Sequence, residues 1–375
     1  SSFKFNNKTF NVFIFMMRRD ILSKHGGNIE EVARRLNISS KEFLDFSANI
    51  NPLGLSEKVK KSIEKNILKI ERYPDITYYD LKKAIEDFEG VSYENILLGN
   101  GAAEIIFNIV RGVKPKKALV LAPTFSEYEE ALKSIGCSIE HFYLREEDSF
   151  SITNDILEKI NEDLDVVFIC NPNNPTGVLT KSKDIKEILL KAWETNTVIV
   201  VDESFLDFRQ DKNIYECKKL LDSFKNLIIV KSATKFFAFP GIRIGYGFIS
   251  NNELKKKIDG VGISWSVNTL AKEALIAGFL DKEYIKVSLE FAKNEKNYLY
   301  ENLKNIKGLK VFKPSVNFIM IKTQKKDLYE KLLEHKIIIR RCNNYYGLSD
   351  EFYRVAVRTR EENKKLIEAL RLIMM

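Results

Sequence analysis

Five short runs of β-branched and other apolar residues constrain this chain more than any other feature: ALVLAP (118–123), VVFIC (166–170), TVIVVDE (197–203), LIIVKS (227–232) and IGYGFIS (244–250). Each has the length of a strand and is apolar on both faces, as strands in the middle of a parallel sheet must be. Helical patterns separate several of them. SEYEEALKSIG follows the first, with Gly136 as its stop, and KSKDIKEILLKAWETN lies between the second and third. Parallel neighbours need a crossover connection, which helices of this length supply. The chain therefore reads as α/β with a mostly parallel sheet. Past about residue 265 the alternation breaks. One long helical stretch is expected from about Asn268 to Lys304. It is followed by VNFIMIK (316–322), a helix near 325–335, KIIIR (336–340), YRVAVR (353–358) and a terminal helix. That mixture predicts a smaller α+β domain.

Composition narrows the function classes. The chain has 375 residues, enough for two domains. Its net charge of +8 comes from 60 basic and 52 acidic residues, interleaved as in REED and EKINEDLD, so no face or tail concentrates it. This argues against nucleic acid as a partner. Cys137, Cys170, Cys217 and Cys342 form no C-x-x-C pair, and with only three histidines the chain offers no metal site. Scattered cysteines fit a reducing compartment. The N-terminal run FNVFIFMM is too short to cross a bilayer, and Arg18 and Arg19 follow it, the wrong order for a secretory signal. Residues 1–15 read as an upstream extension or an added edge strand, with Met16 or Met17 as an alternative start.

Four segments carry chemistry. In LLGNGAAEIIFNIV (97–110) a strand runs through Gly99-Asn100-Gly101 into a helix. Free N–H groups at a helix start suit a phosphate, although a plain glycine turn gives the same pattern. Glu104 rules out G-x-G-x-x-G, and no G-K-[ST] follows. CNPNNPTG (170–177) places a loop at a strand's carboxyl end, where open α/β sheets bind ligands. Asn174 could there offer an amide to a ring hydroxyl, or the loop is built for its turns alone. In VIVVDESFLDF (198–208), Asp202 sits at the mouth of a buried strand. Its carboxylate needs a partner: a cationic ring nitrogen, a helix N-terminus or a salt bridge. In KSATKFFAFPGIRIGY (231–246), Lys235 could be an amine nucleophile if its pKa is low. Ser232 and Arg243 could reach a phosphate across the Pro240-Gly241 turn, and Lys231 reads as half of a surface salt bridge. Phosphate loop, ring-hydroxyl amide, buried aspartate and amine occur in chain order, and together they are what a pyridoxal-phosphate enzyme needs.

The order GNGAAE, NPNNPTG, DESF, SATK, PGIRIGY resembles the fold-type I pyridoxal-phosphate enzymes of the aminotransferase class I/II superfamily, over nearly the whole chain from about Leu22. The resemblance implies a mostly parallel seven-stranded central sheet flanked by helices, with a smaller α+β domain. The implied division is 1–20 as an N-terminal extension, 21–60 as an arm and part of the small domain, 61–265 as the large cofactor-binding domain, and 266–375 as connecting helix and small domain. Lys235 would carry pyridoxal 5'-phosphate covalently, and Asp202 would pair with its ring nitrogen. Asn174 would bond the ring 3-oxygen. Ser232, Arg243 and the amides of Gly101, Ala102 and Ala103 would hold the phosphate, and Phe125 in APTFSEY would stack on the ring. Tyr73 in RYPD would reach the cofactor of a neighbouring subunit, which implies a homodimer. Arg354 in YRVAVR would bind a substrate carboxylate.

Two groups within the superfamily share this core. The histidinol-phosphate aminotransferases are one; the threonine-phosphate decarboxylases of cobalamin synthesis are the other, similar also at HGGN (25–28), DFSANINPLG (45–54) and DESFLDF. Aminotransferases usually carry tyrosine three residues after the ring-pairing aspartate, and here that position is Phe205. His25, Asn49 and Arg340 match decarboxylase residues placed around the substrate. The expectation is a cytoplasmic, dimeric decarboxylase of L-threonine O-3-phosphate, without metal, membrane or nucleic-acid partner. L-serine O-phosphate is an alternative substrate, since one methyl group discriminates weakly. Histidinol-phosphate transamination and a binding module that keeps the fold without catalysis are the competing readings.

Overall fold

The computed structural model describes residues 25–375. The N-terminal extension and the edge strand expected within it lie outside the described residues. In chain order the strands are β1 (Leu44–Asp45), β2 (Ile96–Gly99), β3 (Lys117–Ala122), β4 (Ser138–Tyr143), β5 (Val166–Cys170), β6 (Val198–Asp202), β7 (Leu227–Lys231), β8 (Gly245–Ile249), β9 (Lys310–Val311), β10 (Phe318–Lys322), β11 (Ile337–Ile338), β12 (Arg340–Arg341) and β13 (Phe352–Ala356). Seven of them form the central sheet in the order β2-β8-β7-β6-β5-β3-β4. All its pairings are parallel except those of β8, which runs antiparallel to β2 and β7.

Alternation along the strands explains why both faces are covered. Leu119, Leu121, Val167, Ile169, Ile199 and Val201 belong to one core, with Leu81 and Ile85 of helix Tyr79–Glu89 and Ile185 and Leu189 of helix Ser182–Glu194. Their neighbours Val120, Val166, Phe168, Val200 and Val230 belong to another, with Ile105, Ile106 and Ile109 of helix Ala102–Val113 and Tyr128 and Leu132 of helix Glu127–Lys133. Burial on both sides is what the uninterrupted apolar runs require.

The smaller domain is built on the antiparallel sheet β12-β13-β10-β9 and the parallel pair β1-β11. Its core joins Val32, Leu36 and Phe46 to Leu299, Ile319, Ile338 and Leu366, so the segment after His25 packs with the C-terminal elements.

Several elements differ from the sequence reading. The stretch from Asn268 to Lys304 is two helices, Thr269–Leu280 and Lys282–Leu303. They break at Asp281, whose carboxylate accepts from Tyr284 N and caps the second. KIIIR divides between β11 and β12, in two different sheets. Strand β4 was not anticipated: it is the sheet edge, mostly exposed or half-buried, and SIEHFY lacks an apolar run. Lys231 is no surface residue. It is 1% exposed, with its Nζ 3.0 Å from Glu89 and 3.2 Å from Asp207.

Candidate active site

Every chemical motif leaves the central sheet at one edge. APTF follows the carboxyl end of β3, NPNNPTG that of β5, Asp202 ends β6 and Ser232 follows β7. The GNGAA loop follows β2. Because β8 is antiparallel, its amino end, next to Arg243, comes to the same edge. This is the ligand-binding edge of open α/β sheets.

Gly101 begins the phosphate cradle. It precedes helix Ala102–Val113 with φ of +89° and no side-chain cap, so the N–H groups of Ala102 and Ala103 stand at an open helix start. A Cβ on Gly101 would lie 2.2 Å from Arg243 Nη2, which places the guanidinium directly over the loop. Arg243 itself is held at φ of +65°, a strained backbone for a residue with a side chain. Helix dipole and guanidinium thus face one anion position.

Lys235 Nζ donates to Ser232 Oγ at 3.1 Å and lies 5.5 Å from the centre of the Phe205 ring. Burial pushes its pKa down to about 8, and Arg243 adds to that effect while Asp202 opposes it. The amine is therefore available in its neutral, nucleophilic form near neutral pH. Its backbone is pinned by Asn51, whose N–H donates to Lys235 O at 2.9 Å.

Asp202 is 3% exposed. Its Oδ2 accepts from Tyr128 Oη at 2.7 Å, and its Oδ1 accepts from Ser204 N at 2.9 Å and Ser204 Oγ at 2.5 Å. These bonds fix the plane of the carboxylate. Burial, then the Asp202 charge, raise the Tyr128 pKa well above its ordinary value, so the phenol stays a donor. Half-buried Phe125 meets Tyr128 edge-on at 5.6 Å and has the His25 ring at 6.0 Å.

A second group gathers round Arg354. This residue is directly opposite Arg340 in the register of β12 and β13, and both are buried. Opposed residues of an antiparallel pair share one face, so two cations stand side by side. Arg354 donates from Nη1 to Asn174 Oδ1 and from Nη2 to Ser47 O at 2.8 Å, while its Nε has no partner among the described residues. Arg340 donates from Nη2 to Asn344 Oδ1 at 2.9 Å. Burial lowers the Arg354 pKa, the mark of a cation whose charge is poorly compensated. Gly26 lets HGGN reach this place: a Cβ there would be 2.0 Å from Ser47 O and 3.4 Å from Arg354 Nη2. His25 directly precedes it, with Nε2 2.8 Å from Glu127 Oε1. Asn49 is buried, and among the described residues its Oδ1 has no partner, nor has Oδ1 of Asn317, whose amide donates to Asn49 O. Buried polar atoms left without partners mark a place for a polar ligand.

The structure thus brings together Gly101, Ala102, Ala103 and Arg243; Lys235 and Ser232; Asp202 and Phe125; and Asn174, Arg354, Arg340, His25 and Asn49. Tyr73 stands apart. It is 80% exposed and packs on Trp265 at 4.7 Å. Two residues were missed by the sequence reading, Tyr128 and Asn51. Tyr128 could have been found as a tyrosine on the sheet-facing side of a helix, whose hydroxyl must have a buried partner.

Comparison with known proteins agrees with this geometry. The aminotransferase class I and II family matches residues 41–370. The chain belongs to that family. Its fold is the family's fold type I, and it is a pyridoxal-phosphate-dependent enzyme. It is 38% identical over 351 residues to threonine-phosphate decarboxylase of Salmonella typhimurium, covering 93% of this chain and 96% of that one. It is 32% identical to histidinol-phosphate aminotransferase of Methanothermobacter thermautotrophicus, over 92% of each chain. Among solved structures, the histidinol-phosphate aminotransferase of Clostridium acetobutylicum superposes with a TM-score of 0.83 at 36% identity, covering 88% of this chain and 99% of that one. The residues fit the family's cofactor on their own evidence: an uncapped helix start under a guanidinium for its phosphate, a buried carboxylate for its ring nitrogen, and an amine of low pKa for its aldehyde.

Proposed function

We propose that the protein decarboxylates L-threonine O-3-phosphate to (R)-1-amino-2-propanol O-2-phosphate and CO2, a step that serves cobalamin biosynthesis. The observation that carries this reading is the pair Arg340 and Arg354, buried and directly opposed across β12 and β13. Two adjacent buried cations suit a substrate with two anionic groups close together, a carboxylate and a phosphate. Phe205 beside Lys235, where a transaminase usually carries tyrosine, supports it further. So does the similarity to threonine-phosphate decarboxylase over nearly the full chain.

In this reading Gly101, Ala102, Ala103, Ser232 and Arg243 would hold the cofactor phosphate, Phe125 would cover the ring, and Asn174 would bond its 3-oxygen from Nδ2. Bound there, pyridoxal phosphate supplies an electron sink for the charge left at Cα when CO2 departs. Asp202, aligned by Tyr128, would keep a proton on the ring nitrogen. Arg354 would hold the substrate carboxylate and Arg340 its phosphate, with His25 and Asn49 completing the walls. Lys235 would return a proton to Cα once the carboxylate has gone. The unmet Asn49 Oδ1 would accept from the substrate.

A homodimer is proposed as well. Tyr73 is exposed and packs on Trp265, and Leu68, Ile70 and Ile263, close in sequence to one or the other, are exposed as well. Exposed apolar side chains of this kind fit an interface, across which Tyr73 would reach the partner's cofactor phosphate. A cytoplasmic setting fits the four unpaired, buried cysteines, and no helix among the described residues is long and apolar enough to cross a membrane.

Histidinol-phosphate transamination is the second reading, favoured by the structural likeness to the Clostridium enzyme. L-serine O-phosphate is the alternative substrate for decarboxylation. A divided assay separates them. Threonine phosphate, or serine phosphate, is supplied and CO2 measured; histidinol phosphate with 2-oxoglutarate is supplied and glutamate measured. CO2 from threonine phosphate is expected. Glutamate without CO2 overturns the proposal.

A further inference from the structure

A second cavity lies between the turn that follows Asp202 and the long helix Lys282–Leu303. It has a volume of about 220 Å3 and is bordered by Phe208, Arg209, Asp211, Lys293, Lys296 and Ser315. None of these residues has a part in cofactor or substrate binding as described above. We propose that this cavity binds a small multivalent anion, of the phosphate-monoester or pyrophosphate type, held chiefly by Lys293 and Lys296.

The charge in the cavity is unbalanced. Asp211 is its one acidic lining residue, and Arg209 occupies both its oxygens, at 2.7 Å from Nε and 2.7 Å from Nη2. The third arm of Arg209, Nη1, donates to Ser315 O at 2.8 Å. This fixes the guanidinium as a permanent wall charge. Lys296 is half-buried, and Nζ makes one long hydrogen bond, 3.4 Å to Ser315 O, which leaves its other donors for a ligand. Burial first, then Arg209, hold its pKa below the usual lysine value; Lys293 and Lys313 add to this, and Asp211 opposes it. Three cations, Arg209, Lys293 and Lys296, thus line the cavity with one carboxylate, whose two oxygens Arg209 already occupies. An anion in the cavity would satisfy the ammonium donors and relieve the mutual repulsion. The concave shape and small volume favour a compact anion over an extended nucleic-acid backbone.

The position gives such a ligand a route to the active site. Ser315 presents its carbonyl to the cavity, while its hydroxyl donates to Gly177 O at the end of the loop that carries Asn174. Arg209 follows directly on the DESFLDF segment. An occupant would tie the long helix to both segments.

The test uses holoenzyme with the cofactor linkage reduced by borohydride, titrated with pyrophosphate by calorimetry. Four proteins are compared: native, Arg340→Gln, Lys293→Gln/Lys296→Gln, and Lys296→Arg. The expected result is one equivalent that survives Arg340→Gln and is weakened at least tenfold in the double lysine variant, with Lys296→Arg retaining it. Melting temperature verifies that each variant is folded; should the double variant fail this, Lys296→Gln against Lys296→Arg decides. Unchanged binding in the lysine variants overturns the proposal, as does loss of all binding with Arg340→Gln. The result does not depend on whether the enzyme is a decarboxylase or a transaminase.

Discussion

Asp202→Asn and Arg243→Gln should move the Lys235 amine in opposite directions. Burial pushes this pKa from 10.5 down to about 8, with Arg243 lowering it and Asp202 raising it. At pH 7 an amine of pKa 8 is neutral in roughly one molecule in ten, against about three in ten thousand at 10.5, a ~300-fold gain in nucleophile. Removing the carboxylate takes away a charge that favours the ammonium, so the pKa falls further; removing the guanidinium lets it rise. A neighbouring charge is worth about one unit or more at this range. The assay is acylation of the cofactor-free protein by an amine-selective reagent between pH 6 and 11, a range chosen to bracket roughly both pKa values, with Lys235 followed by peptide mass. The native midpoint should lie near 8, that of Asp202→Asn below it and that of Arg243→Gln above it. The same shift has a stability sign. The folded pKa is depressed, so between about 8 and 10.5 the unfolded chain binds more protons, and the cofactor-free protein gains stability as pH rises through that window. A native midpoint near 10.5, or both variants moving the same way, would refute the reasoning.

Other perturbations follow from the same geometry. Tyr128→Phe removes a hydrogen bond to a buried carboxylate, worth about 1.5–3 kcal/mol; kcat should fall roughly tenfold or more while KM changes little, and equal kcat would rule out an aligning role for this phenol. Gly101→Ala meets both a positive φ and the Arg243 guanidinium, so cofactor affinity, read by fluorescence on titration, should drop by an order of magnitude or more. Lys231→Met takes the shared buried ammonium from Glu89 and Asp207, leaving them Lys218 and Lys212 as remaining partners, and should cost up to about 3–5 kcal/mol in urea unfolding; a loss below ~1 kcal/mol would mean that the pair is as weak as an exposed one.

What could be read in the sequence was set by burial. β5 has the limits of VVFIC because both its faces are covered, and a strand covered on both faces has to be apolar throughout. β4 escaped because it has one neighbour and half-exposed side chains, which leaves its composition free. Lys231 escaped for the opposite reason. Its environment is made by Glu89 and Asp207, 142 and 24 residues away in sequence (231 − 89 and 231 − 207), and nothing local announces them. The residues proposed to hold the cofactor, Tyr73 apart, were legible because each lies close to the end of a central-sheet strand, where a break in an apolar run marks the sheet edge. The arrangement round Arg354 was only half legible. Spacing suggested that Arg340 and Arg354 would each lie on or beside a strand, but their direct opposition depends on a register fixed by the chain between them. The break at Asp281 was hidden because both helices are apolar enough to look continuous, and a single aspartate side chain separates them.

The facing of Arg340 and Arg354 makes the smaller sheet a measuring device. Side chains alternate along β12, so a slip of one residue against β13 would replace Arg340 by Arg341 and turn the cation away from its companion. Arg341 is already engaged elsewhere, paired with Glu330. The distance between the two positive centres, and hence the length of dianion that can bridge them, is therefore quantised by backbone pairing and not graded by side-chain flexibility. A change in the connection 342–351 that shifted this register would therefore break up the proposed substrate pair without substituting either arginine.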